Sequence, residues 1–133
     1  MSEYVLDGSK IETLEDFYDE VSRVLTPGAC RGRNLNAFDD ILRGGCGSPK
    51  RGFTLSWAHS GASQKALGYS ETARQLELRF AECHALNRDT VSIELAHARN
   101  GAGPTVFDWL VEFIREHGPG GEQAEDGVRL ILD

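Results

Sequence analysis

Three short β-prone stretches stand far apart in this chain of 133 residues: YVLD at 4–7, FTLSW at 53–57 and GVRLILD at 127–133. β-Branched, aromatic and aliphatic residues dominate them, and such residues fit a pleated, half-buried surface. The long segments between them carry apolar residues at helical spacing. Strands separated by helices imply a small parallel sheet in an α/β layer fold, here three-stranded and packed with several helices. The last stretch is apolar nearly throughout, which reads as a strand covered on both faces.

The helices have legible starts and stops. Thr13 opens a T-x-x-D pattern with Asp16, and Leu14, Phe17, Val21 and Val24 follow on one face until Pro27-Gly28. Asn34 is a good N-cap for a second helix whose Leu35, Phe38 and Leu42 face inward beside Ile41, with Gly44 and Gly45 as its stop. SGASQKAL at 60–67 reads as a short helix ended by Gly68, and Ser70-Glu71 begins a longer one with Ala73, Leu76, Phe80 and Cys83 at helical spacing. Residues 89–101 fit two patterns. Val91, Ile93 and Leu95 alternate like a strand, while Val91, Leu95 and Ala98 fit a helix; alanine content and Asn100-Gly101 favour the helix. Pro104 suits a first helical turn, and Val106, Trp109, Leu110, Phe113 and Ile114 then form a broad apolar stripe that GPGG at 118–121 ends.

Apolar residues make up 40% of the chain, enough for a core in one compact domain over 1–133. No apolar run is long enough for a membrane span, and the N-terminus has no basic-then-apolar signal pattern. Cys30, Cys46 and Cys83 are odd in number and fit no disulfide framework or CxxC motif, so a cytoplasmic protein is expected. The net charge of −7 opposes general nucleic-acid binding, which needs phosphate-neutralising cations. That charge is uneven: residues 1–20 are net −6 and 104–133 net −5, while 21–60 are net +4. Arg31, Arg33, Arg43, Lys50 and Arg51 could form a small basic patch, but no aromatic residues interleave them and the whole is acidic.

One cluster stands out in that basic region. Asn36, Asp39, Asp40 and Arg43 share a helix face opposite Leu35, Phe38 and Leu42. Taken alone, this is what a solvated face looks like, yet adjacent carboxylates repel each other without structural benefit. Asp108, Glu112 and Glu116 make a second acidic stripe, with Glu116 in a last turn where the helix dipole disfavours an anion. Enzyme patterns are weaker. His59, His84, His97 and His117 have no metal-ligand spacing, and Cys83-His84 would point about 100° apart on a helix. No GxSxG, P-loop or GxGxxG occurs, and Trp57 and Trp109 sit among apolar neighbours as core residues do. A carboxylate-dependent hydrolase using Asp39, Asp40 and Glu116 is the remaining enzymatic alternative.

Residues 4–45 carry an ordered motif: strand, Asp-Gly, amphipathic helix, proline-containing loop, then G-x-N-L-x-A-x-x-D-x-L-x-G. Gly32, Asn34, Leu35, Ala37, Asp40, Leu42 and Gly44 fall on it. The pattern resembles the barstar family, intracellular inhibitors of the secreted ribonuclease barnase. Residues 104–132 are similar to the family's ending, and 68–103 look like the helical insertion of its longer members. The resemblance implies an inhibitor, not an enzyme, that needs no cofactor. It would be a monomer when free and form a one-to-one complex with a secreted, guanyl-specific microbial ribonuclease. It also implies that the helix at 34–43 and its preceding loop plug the enzyme's active site. Asp40 would take the place of an RNA phosphate, with Glu116 a second contact. Cys30 and Arg31 stand where the family has two tyrosines, Asn36 where it has a carboxylate and Asp39 where it has a tryptophan. Arg31 and Arg33 put positive charge beside a surface meant to meet a basic enzyme, and with these changes the resemblance implies the same mode of inhibition but a different, less basic target. An immunity or adaptor protein bound to a non-ribonuclease is the other alternative.

Overall fold

In a computed structural model, which describes residues 3–26, 35–43, 52–82, 88–118, 120–122 and 126–133, the chain forms one three-stranded sheet and six α-helices among the described residues. Strand β1 (Glu3–Asp7) leads through a 3₁₀ turn to α1 (Leu14–Leu25) and then α2 (Leu35–Leu42). Strand β2 (Thr54–Ala58) is followed by α3 (Ser60–Ala66), α4 (Tyr69–Glu82), α5 (Arg88–Arg99) and α6 (Val106–Glu116), and β3 (Arg129–Leu132) closes the chain. The order is β1-β2-β3 with both pairings parallel, in a register that aligns Leu6 with Trp57 and Leu132.

Side chains alternate across a strand, and here the alternation chooses the core. Leu6, Leu55 and Trp57 are fully buried, while Val5 and Ile131, which flank Ser56 in register, are exposed at the two edges of the opposite face. Phe17, Val21 and Leu25 of α1, Phe38, Ile41 and Leu42 of α2, and Val106, Leu110 and Ile114 of α6 pack onto the buried side. Aromatic rings tie the layers: Phe17 meets Trp57 at 5.1 Å and Phe38 edge-on at 5.3 Å, and Phe38 stacks on Phe113 at 5.6 Å between centroids. β3 is not covered on both faces, as its composition suggests. Ile131 is 46% and Leu132 39% exposed, because β3 is an edge strand with a neighbour on one side only.

Trp57 finds a polar partner inside the core. Its Nε1 donates to Ser63 Oγ at 2.9 Å, and that hydroxyl donates to the Gly8 carbonyl at 2.9 Å. A Cβ at Gly8 would lie 2.5 Å from the carbonyl oxygens of Ala58 and His59, so only glycine lets the chain pass there.

Residues 89–98 are helical, as the alanine-rich reading expects: Val91, Leu95 and Ala98 are buried and Ile93 is 58% exposed. α4 and α5 pack on each other around Leu76, Val91, Leu95 and Ala98, with Ala73 and Trp109 beside them. Phe80 is not part of this core; it is partly exposed beneath the Arg88 guanidinium. The helix pair is pinned to the rest by polar contacts. Val106 N–H donates to Thr72 Oγ1 at 2.8 Å, Tyr69 OH donates to the Gly103 carbonyl at 2.9 Å, and Leu14 N–H donates to Glu71 Oε2 at 2.8 Å.

α6 (Val106–Glu116) begins two residues after Pro104, not at it. Thr105 is its N-cap: its hydroxyl accepts from Asp108 N–H, and the Asp108 carboxylate accepts from Thr105 N–H at 2.9 Å. This capping box, not Pro104, sets the start. It also occupies Asp108, the first member of the acidic stripe.

Candidate functional site

α2 is short, and its inward face explains its placement. Phe38, Ile41 and Leu42 are almost fully buried, leaving Asp40 and Arg43 exposed. Asn36 and Leu35 lie in its first turn. Cys30, Arg31, Gly32, Asn34 and the glycines at 44 and 45 lie outside the described residues.

Asp39 and Asp40, neighbours in sequence, have different surroundings. Asp39 is engaged on both oxygens. Oδ2 lies 2.9 Å from Arg43 Nε, one helical turn on, and Oδ1 lies 3.1 Å from His117 Nε2. His117 follows the last residue of α6 and is 1% exposed. Its other nitrogen, Nδ1, lies 2.7 Å from Oδ2 of the buried Asp126. A buried imidazole therefore bridges α2 to the segment that enters β3. In the sequence, His117 stands out only as one of four histidines without metal-ligand spacing. The one available signal was an apolar-stripe helix ending in a histidine at the register of Phe113 and Ile114.

The Asp39–His117 contact also locates Glu116. Asp40 and Glu116 each adjoin in sequence one member of a 3.1 Å contact, so their backbone positions lie in the same region of the fold. Glu116 is exposed and, with Glu112, Arg115, Gly120 and Gly121, lines a shallow cleft of about 340 Å³. Among the described residues, no three His, Cys, Asp or Glu side chains gather as a metal site. No helix there is long and apolar enough to cross a membrane. Trp57 is wholly buried; Trp109 is partly buried between the main core and the α4–α5 pair, with Arg79 over its ring.

Fold and site together describe a small α/β protein that carries an acid-bearing helix beside the end of its last helix. The family model described as Barstar (barnase inhibitor) matches residues 1–98. The chain belongs to the barstar family. The match takes in β1 through most of α5, so the helices at 69–99 fall largely within it, and α6 and β3 lie beyond it. A comparison with curated proteins gave no match. Membership in a family of ribonuclease inhibitors points to that role and to a ribonuclease as partner.

Proposed function

We propose that this protein inhibits a secreted, guanyl-specific microbial ribonuclease in a one-to-one complex, placing α2 and its preceding loop in the active site and protecting the producing cell. The observation that carries this reading is the position of Asp40. It is an exposed residue on a helix whose opposite face is sunk in the core, so it stands on the accessible side of a rigid support. A carboxylate accepts paired hydrogen bonds from arginine, the chemistry of a site built for an RNA phosphate. Glu116 supplies a second acid in the same region of the fold. Asp39, held by His117 and Arg43, supports the helix more than it faces outward. The basic side chains of the loop and of Arg43 fit an enzyme less basic than barnase.

The test is titration of guanyl-specific ribonuclease activity with the wild-type protein and Asp40→Ala. Stoichiometric inhibition by the wild type and its loss in the variant are expected; equal inhibition by both would refute the mechanism.

A further inference from the structure

We propose that His117 is a positioning residue for the inhibitory helix: through Asp39 it clamps α2 to the junction of α6 and β3, and so sets where Asp40 stands. This deepens the ribonuclease-inhibitor reading and rests on it.

The backbone of His117 is tied on both sides. Its N–H donates to the Ile114 carbonyl at 3.0 Å, and its carbonyl accepts from Val128 N–H at 2.8 Å. The next residue, Gly118, is pressed so closely against the returning chain that a Cβ there would lie 2.1 Å from the Val128 oxygen. From this fixed backbone the ring reaches both ways. Nδ1 meets Asp126 at 2.7 Å and Nε2 meets Asp39 at 3.1 Å. Each ring nitrogen thus has a carboxylate oxygen within hydrogen-bonding distance, one from α2 and one from the segment before β3. Phe113 packs against the same ring at 5.4 Å and stacks on Phe38 of α2.

The apolar face of α2 already holds it against the core, but apolar burial is not directional. A hydrogen-bonding contact to a buried ring is directional. It fixes the rotation of α2 about its axis, and Asp40, one residue beyond Asp39, turns with the helix. A tryptophan at the position of Asp39, as the family pattern has, could not make this contact.

Two substitutions separate positioning from general stability. His117→Gln keeps an N–H donor near the Nε2 position, toward Asp39; His117→Asn keeps one near Nδ1, toward Asp126. Two quantities are read for each: amide hydrogen exchange at α2, including the Arg43 N–H bonded to the Asp39 carbonyl, and inhibition of a guanyl-specific ribonuclease. In His117→Asn, α2 amides should exchange about tenfold faster relative to those of β2, and inhibition should weaken by a similar factor, with both recovering in His117→Gln. Exchange rising equally in α2 and β2, or unchanged in α2, overturns the clamp. Faster exchange in α2 with full inhibition overturns its role in positioning Asp40. If the wild type inhibits no such enzyme while α2 exchange follows the pattern, the clamp stands and the ribonuclease reading falls. Should His117→Asn fail to fold, Asp39→Ala at its half-exposed position must loosen α2 in the free protein. A residue that only touched the partner would leave that exchange unchanged.

Discussion

Asp39 and Asp40 show how little adjacency in sequence says about chemistry. A turn of about 100° between successive helical residues sets one carboxylate against a buried imidazole and leaves the other on an exposed residue. Under the proposed function, Asp40→Ala should cost more than about 3 kcal/mol of ribonuclease binding, because enzyme cations would be left unpaired in the interface. Glu116→Ala should cost less, as rim contacts do. Inhibition titrations would rank the two, and the reverse order would move the centre of the interface to α6. Gly8 makes a prediction independent of function. The added methyl of Gly8→Ala would push on the backbone at 58 and 59, displacing the Ser63 hydroxyl that holds Trp57. A loss of roughly 1–3 kcal/mol in urea unfolding is expected, as for other overpacked sites.

At the scale of elements, the T-x-x-D pattern occurs twice, at 13–16 and at 105–108. Both threonines prove to be N-caps, but only the second completes a reciprocal box; at the first, Asp16 accepts from Glu12 N–H instead. Thr105→Ala should therefore lower stability by about 1 kcal/mol, seen as a reduced thermal midpoint with ribonuclease inhibition intact. The strong apolar periods of α1 and α6 survive folding because each stripe is buried or partly buried along its length, against the sheet and against neighbouring helices. β3 reads less well. Hydrophobicity reports a tendency to be buried, whereas the place of a strand in the sheet depends on its neighbours.

For the whole molecule, two buried glutamates join elements that the chain keeps apart. Burial alone would push both carboxyls up. Hydrogen bonds from Arg23 and the Asp7 N–H instead hold Glu20 below the usual carboxylate range, and those from Arg74, the Leu14 N–H and Gln75 do the same for Glu71. A depressed folded value favours the native state above the ordinary glutamate value of 4.5, and that contribution disappears as pH falls through the lower folded value. Stability should therefore fall with acidification below that point, and Glu71→Gln should flatten the fall; denaturant unfolding across acid pH would measure both. The net charge of −7, concentrated toward the two ends of the sequence, should speed encounter with a cationic enzyme face. Stopped-flow association rates should drop steeply with added salt, and a rate indifferent to salt would exclude such steering.

The sequence by itself determined the helices with strong apolar stripes, the three strands and their separation by helical crossovers, and the motif that marks the barstar family. These are local or periodic signals, set by spacing along the chain. Only the tertiary structure decided which strand lies at an edge, that α4 and α5 form their own small core, and that Asp39 meets His117. Those contacts join residues far apart in the chain, and no spacing encodes them. They depend on how layers pack once every apolar face has found its partner.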